Sequence, residues 1–388
     1  MSKNPCAIIG IGQTQHKSRR WDVSLGGLVR EAASRALEDA RLTWADVDAV
    51  VLGKAPDLFE GVMKPELYLT DALGAAGKPM FRVHTAGSVG GTTGIVAAHL
   101  VETGIHRTVL AVAYQKQSEG NAQFALGSGK GASLGAGGAF APYMRSYIHR
   151  TGAPLDVGPM VAVKDRQNAL KNPYAHLKLA DISLEKVKAS QMMWDPIRYL
   201  ESCPSSDGAC AVVLTDEAGG LAAAADGRPP AWVLASAVRS EPSSFPGRDA
   251  VWSAGAADCA ADVYRQAGIT RPREQIDCAE LYVPFSWYEP MWLEAHHIVG
   301  HGEGWKLTER GDTALGGAFP VNMSGGVLST NPIGASGLLR FAEAALQVRG
   351  MAGEHQVDGA RVALAQAYGA SAQYFSMWLV GSSPDPFA

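Results

Sequence analysis

Four places in this sequence put chemically capable side chains beside glycine-rich or strand-ending backbone, where a main chain can approach a ligand closely. The first is Arg82-Val-His-Thr-Ala-Gly-Ser-Val-Gly-Gly, which sets Ser88 four residues after His84. A serine hydroxyl becomes a nucleophile only with a base in hydrogen-bond reach, and His84 is the candidate base. The more ordinary reading is that Ser88 caps a helix beginning near Gly90 and that His84 is a hydrogen-bonded core or interface residue. The second is Thr330-Asn-Pro-Ile-Gly-Ala-Ser-Gly. There Asn331 offers an amide that can donate to an oxyanion without exchanging a proton, although Asn-Pro is also a common turn opener. The third is Asp277-Cys-Ala-Glu-Leu-Tyr-Val-Pro-Phe, a strand pattern ending at Tyr282. A free tyrosine titrates near pH ~10, so Tyr282 acts as a base only where its phenolate is stabilised; otherwise it closes the strand end as a packed ring. The fourth is Tyr368, whose counterpart Tyr114 in a repeated segment argues for a structural role in both copies. Asp207, in Ser-Ser-Asp-Gly, reads as a turn residue.

Other chemistries find little support. The five cysteines (Cys6, Cys203, Cys210, Cys259, Cys278) contain no CxxC pair and are odd in number, which disfavours a metal site or a disulfide framework and fits a reducing cytosol. A net charge of −4 without basic runs interleaved with aromatics disfavours nucleic acid or an anionic membrane as partner. The apolar run near the N-terminus is short for a signal peptide, and no segment reaches the roughly 20 apolar residues of a membrane span. With 47% hydrophobic and 19% charged residues, the 388-residue chain can bury a substantial core.

The elements that must position these residues alternate between strand and helix, the pattern of a layered α/β protein. Ala7–Ile11 is a short apolar run that reads as a buried strand, and Val47–Gly53 is a second strand. Between them Leu25, Leu28, Ala32 and Leu37 lie on one helical stripe, with Ser24 as N-cap. Arg107-Thr-Val-Leu-Ala-Val-Ala-Tyr matches Arg361-Val-Ala-Leu-Ala-Gln-Ala-Tyr at five of eight positions. Each copy follows a glycine-rich turn feeding an Ala-rich helix, and Ala40-Arg-Leu-Thr with Val47-Asp pairs with Ala267-Gly-Ile-Thr and Ile276-Asp. A period of that length is too long for a solenoid and predicts two copies of one α/β domain, residues 1–230 and 231–388. Residues of about 116–205 break the pattern and read as a loop domain inserted in the first half, with a flexible Gly/Ala/Ser stretch at Gly127–Gly138 and a helix at Leu184–Ser190. Phe285, Tyr288 and Trp292 fall at helical spacing, so they are core or line an apolar cavity, core being the commoner case.

The stretch Lys171-Asn-Pro-Tyr-Ala-His, Ile182-Ser-Leu-Glu-Lys-Val, Asp195-Pro-Ile-Arg and Cys203-Pro-Ser-Ser-Asp-Gly-Ala-Cys-Ala-Val-Val resembles the loop-domain signature of thiolases. It is closest to the sterol-carrier-protein type and its bacterial lipid-transfer relatives, and the likeness runs from Ile8 to Gly369. The resemblance implies a five-layer αβαβα fold of two similar halves, usually a homodimer. It also implies a nucleophilic cysteine, a Cys or His base and two oxyanion holes, and here the chain departs from the family. Gly87 stands where the cysteine belongs, Asn331 replaces the His of Gly-His-Pro-x-Gly, Tyr282-Val-Pro-Phe replaces Asn-Glu-Ala-Phe, and Ala367-Tyr-Gly replaces Cys-x-Gly. Cysteine-dependent thiolysis is thereby excluded. Related thiolase-like aldolases carry a Tyr in the same Glu-Leu-Tyr context and use it for proton transfer, usually followed by Asp where this chain has Val283. The resemblance further sets Gly334, Ser336 and Gly369 against the CoA thioester, with CoA entering as part of the substrate and no cofactor held by the chain. The implied activity is retro-aldol cleavage of a β-hydroxyacyl-CoA with a bulky, steroid-like side chain, in company with a small zinc-ribbon/OB-fold partner protein. A non-catalytic or partner-activated acyl-CoA-binding subunit, and an acyltransferase using Ser88, are the alternatives.

Overall fold

A computed structural model describes residues 4–120, 135–242, 247–249 and 251–387. The strands are β1 (Cys6–Gln13), β2 (Ala49–Lys54), β3 (Met80–Val83), β4 (Thr108–Lys116), β5 (Met192–Trp194), β6 (Ile197–Arg198), β7 (Asp207–Asp216), β8 (Ala231–Ser240), β9 (Cys278–Glu280), β10 (Val362–Gly369) and β11 (Tyr374–Gly381). Nine of them lie in the order β3-β2-β4-β7-β1-β8-β11-β10-β9. The order is symmetric about its middle. β2, β4, β7 and β1 correspond to β9, β10, β11 and β8, and each set has one parallel pair followed by antiparallel ones. An isolated parallel bridge, Ala279 to Val321, stands where β3 pairs β2. The repeated Arg-x-x-Leu-Ala-x-Ala-Tyr segments form β4 and β10, equivalent strands of the two halves. β1 and β8 join the halves through only two paired positions.

Period-two burial sorts the strand residues into layers. Ile9, Val50, Leu52 and Leu110 face the helix Leu25–Ala40, which buries Leu28, Ala32, Ala36 and Leu37 against them. Ser24 caps that helix by accepting the Gly27 N–H at 3.0 Å. The alternate residues Ile8, Val51 and Val109 face inward, with Ala363, Ala365 and Trp378 of the second half. Between them run the helices Val89–Glu102 and Ile333–Val348, and Phe341 stacks on Trp378 at 4.5 Å. The far face of the second half, with Leu364, Met377 and Leu379, is covered by the helix Ala254–Ala267. Helix, sheet, helix pair, sheet, helix is the five-layer arrangement of the thiolase fold.

The glycine-rich turns serve the central helix crossing. A Cβ on Gly90 would lie 2.7 Å from the Leu338 nitrogen and 2.8 Å from the Gly334 oxygen. Only a backbone without side chains lets the two helix starts approach so closely.

Between β4 and β7 lie the helices Gly135–Thr151, Val157–Lys171 and Leu184–Ala189 and the β5–β6 hairpin. These elements lean on the second half: Lys164 pairs with Glu289 at 2.8 Å, the Asn168 amide donates to the Asn322 carbonyl at 3.1 Å, and the Tyr147 hydroxyl donates to Glu294 at 2.6 Å. Residues 127–134 of the stretch read as a flexible loop lie outside the described residues, while Gly135–Gly138 opens a helix. No helix among the described residues is long and apolar enough to cross a membrane.

Candidate active site

A cavity of about 380 Å³ lies where the Gly87 turn, the β10–β11 turn, the end of β9 and the inserted helices meet. Phe59, Phe140, Pro284, Phe285 and Ile333 supply its apolar surface. Gly87 and Gly369 meet on one side: a Cβ on Gly369 would fall 2.3 Å from the Gly87 nitrogen, so that position accepts no side chain. Ala370, Ser371 and Ala372 follow with φ of 53, 58 and 61°, three successive left-handed residues at the cavity wall. Arg248 holds this turn by donating to the Ser371 carbonyl at 3.2 Å and to that of Ala372, and its guanidinium is braced by Glu241 at 2.6 Å.

Tyr282 is fixed along its backbone. Its N–H donates to Gln366 Oε1 at 3.0 Å, and its carbonyl accepts the Trp292 indole N–H at 2.9 Å. The phenol reaches Asn331 Oδ1 at 3.4 Å, and the Tyr368 ring meets it edge-on at 5.3 Å. Burial raises both phenols above their ordinary range, and the nearby Cys203 thiol adds to the effect on each. Both are therefore neutral near pH 7. The Ser336 hydroxyl and Arg340 favour the Tyr282 phenolate, but less than burial disfavours it.

Asn331 is held at every polar atom. Its Oδ1 accepts from the Ser336 hydroxyl at 2.8 Å, and its amide nitrogen donates to Cys203 Sγ at 3.2 Å. Its backbone N–H donates to Ser206 Oγ at 3.1 Å, and its carbonyl accepts from Gln117 Nε2 at 2.6 Å and from the Ser206 N–H at 3.2 Å. The Cys203-Pro-Ser-Ser-Asp segment is thus the seat of Asn331. Asp207 is not a turn residue: it is buried at the start of β7, where its carboxylate accepts the Arg20 N–H at 2.8 Å, the Ser118 N–H at 2.9 Å and the Ser118 hydroxyl at 2.6 Å.

The structure brings together Tyr282, Asn331, Tyr368 and Gly369 and separates the other candidates from them. Ser88 is buried; its hydroxyl donates back to the Thr85 carbonyl at 2.7 Å, makes no cap bond and does not line the cavity. His84 follows the edge strand β3, is exposed and also lies off the cavity, so the serine–histidine pair does not form. Gly334 does not face the cavity either; a Cβ there would strike the Tyr114 oxygen at 2.3 Å, so close helix–strand packing explains it. Ser336 is fully buried beneath Asn331 rather than set against a ligand. Tyr114 bonds Glu60 at 3.2 Å in the core of the first half, whereas Tyr368 lines the cavity. Of the aromatic stretch, Phe285 lines the cavity while Tyr288 and Trp292 stack at 4.8 Å in the core.

Cys203 is the residue that the sequence reading missed as a site candidate. Burial pushes its thiol up to about 11, although the Asn331 amide and Arg166 pull it down, so it rests as a thiol. Its place in the loop-domain signature was the available signal. Among the described residues, the titratable groups facing the cavity are Cys203, Tyr282 and Tyr368, all neutral near pH 7. Such a cavity suits hydrogen-bond donation to a developing oxyanion and proton movement through phenols, and it suits cysteine nucleophilicity poorly.

Comparison with known proteins gives the family. Residues 237–381 match the family of thiolase C-terminal domain-like proteins. The chain is 29% identical to sterol carrier protein 2 of Homo sapiens over 384 residues, covering 92% of this chain and 68% of that protein. It is 32% identical over 378 residues to an acetyl-CoA acetyltransferase of Methanothermobacter thermautotrophicus, covering 94% of this chain and 96% of that one. Among solved structures, an Ltp2-ChsH2(DUF35) aldolase superposes with a TM-score of 0.85 at 27% identity, covering 98% of each chain. The chain belongs to the thiolase superfamily, in its sterol-carrier and lipid-transfer branch.

Proposed function

We propose that this protein is an aldolase-type carbon–carbon lyase that cleaves β-hydroxyacyl-CoA thioesters. The observation that carries the reading is a buried phenol, Tyr282, beside the Asn331 amide at one cavity, with a second cavity-lining phenol, Tyr368, packed on the first. Likeness to the Ltp2-ChsH2(DUF35) aldolase supports it.

In the retro-aldol direction the Cα–Cβ bond breaks and its electron pair passes into the thioester carbonyl, giving an enolate. Asn331 Nδ2–H donates to that oxyanion. The β-hydroxyl must lose its proton as the ketone or aldehyde forms, and the α-carbon must gain one to yield the shorter acyl-CoA. A phenol kept neutral moves protons by accepting one as it gives another. Tyr282 and Tyr368 both line the cavity, and a relay through their hydroxyls would take the hydroxyl proton and return one to the α-carbon. No net charge is left on the protein.

The apolar walls favour a hydrocarbon-rich acyl group such as a steroid side chain. The name of the aldolase relative pairs it with a DUF35 protein, which supports a zinc-ribbon/OB-fold partner here. The test is release of a short acyl-CoA from β-hydroxyacyl-CoAs with bulky side chains, with such a partner present. Tyr282→Phe and Tyr368→Phe should each lose about 10²–10⁴-fold in kcat while binding persists. Near-full turnover in both variants sinks the relay. A wild type that binds but never cleaves such substrates moves the assignment to an acyl-CoA-binding subunit.

A further inference from the structure

A hydroxyl buried in a helix interior is costly unless bonded. Ser336 is such a group. It sits in the first turn of the helix Ile333–Val348, between Ala335 and Gly337, in the central layer of the molecule, and is 0% exposed. Its hydroxyl donates to Asn331 Oδ1 at 2.8 Å, a normal length, and also faces the Tyr282 phenol. The Tyr282 hydroxyl reaches the same Oδ1 at 3.4 Å, a weaker contact. Two donors therefore converge on one end of the amide. At the other end Nδ2 donates one hydrogen to Cys203 Sγ at 3.2 Å. Its second hydrogen is left for the cavity that Asn331 lines.

A carboxamide has nearly the same shape in its two orientations, and a hydroxyl can donate or accept; here the Ser336 hydroxyl donates to Oδ1 and leaves NH₂ outward. A flipped Asn331 would turn a carbonyl oxygen toward a developing enolate and repel it. We propose that Ser336 is the positioning residue that holds the Asn331 amide in place with its NH₂ toward the cavity. Ser336 touches no substrate and acts only through Asn331. The inference rests on the oxyanion role given to Asn331 above, and it replaces the expectation that Ser336 contacts CoA.

The experiment uses acetoacetyl-CoA, whose enolate absorbs in the near ultraviolet and whose enolisation reports oxyanion stabilisation without turnover. Bound to the wild type, acetoacetyl-CoA should enolise at lower pH than when free, and Asn331→Ala should abolish the shift. Ser336→Ala should cut the bound enolate about 5- to 10-fold at fixed pH, the worth of one hydrogen bond, with affinity for acetyl-CoA unchanged. Ser336→Thr, which keeps the donor, should restore it. Should Ser336→Ala fail to fold, Ser336→Cys keeps the volume, weakens the donor and should lower the enolate in the same direction. A wild-type shift that Asn331→Ala removes but Ser336→Ala or Ser336→Cys leaves intact overturns the role of Ser336 alone. Absence of any shift in the wild type overturns the oxyanion reading of Asn331, and the role of Ser336 with it.

Discussion

Replacing Asn331 by Ala and by Asp separates donation to an oxyanion from mere packing. Asn331→Ala deletes one strong side-chain bond, from Ser336 at 2.8 Å, and two weak ones, to the poor acceptor Cys203 Sγ at 3.2 Å and the long contact from Tyr282 at 3.4 Å. At about 0.5–1.5 kcal/mol per net hydrogen bond, with the weak ones near the bottom of that range, the stability cost is roughly 1–3 kcal/mol. Loss of one oxyanion donor should lower kcat by about 10²–10³. Asn331→Asp keeps an oxygen for Ser336 and Tyr282 but puts a carboxylate oxygen where the donor was. Two negative charges about 4 Å apart repel by roughly 4 kcal/mol at an effective dielectric of 20, or about 10³ in rate. Above neutral pH, Asn331→Asp should therefore be slower than Asn331→Ala despite preserving more contacts. As pH falls and the buried carboxyl takes a proton, the gap should close. The assay is kcat for acyl-CoA release across pH 5–9, alongside thermal melts. Equal rates for the two variants at pH 8 would refute the reasoning, because no negative charge would then develop beside residue 331.

Further expectations concern Gly87, assembly and acid stability. A Cβ at Gly87 would meet the Gly369 Cα and the Tyr368 oxygen at 3.2 Å, tight but accommodated by a small shift. Gly87→Cys should fold yet give no thiolysis of acetoacetyl-CoA, because Asn331 and Ala367 supply no acid–base group; CoA-dependent cleavage in that variant would contradict the reading. Edge strand β3 carries Phe81, 42% exposed, and Met63, Leu67 and Tyr68 are each more than 70% exposed. A homodimer that pairs this edge is expected in sedimentation at micromolar concentration, and Phe81→Glu should dissociate it; a monomeric wild type would count against it. His296 is fully buried, and burial lowers its pKa to about 3, so the native state refuses a proton that the unfolded chain takes near 6.5. Its share of stability is complete above pH 6.5 and is lost by about 1.4 kcal/mol per unit as pH falls toward 3. His296→Phe should flatten the fall in melting temperature over that window; an unchanged slope would show that other groups govern it.

The sequence by itself determined the duplication, because strands buried on alternate faces and helices with one apolar stripe leave a periodic record that survives in both copies. β4 and β10 still share Arg-x-x-Leu-Ala-x-Ala-Tyr, and they occupy equivalent places in the sheet. The departures at Gly87 and Asn331 were read from short segments that resemble the family's motifs, and they rest on that resemblance. What each polar residue touches was not legible. Ser88 and Ser336 both sit at glycine-rich helix starts; one turns its hydroxyl back to Thr85, and the other bonds Asn331, five residues earlier in the chain. Tyr114 and Tyr368 are repeat mates, but a carboxylate meets the first and a cavity meets the second. Cys203 lies 128 positions from Asn331 and reaches it only because the inserted helices lean on the second half. Periodicity follows from local geometry that repeats every few residues. Side-chain partners, and through them the neutral phenols and the orientation of one amide, depend on packing between distant segments, which only the tertiary structure decides.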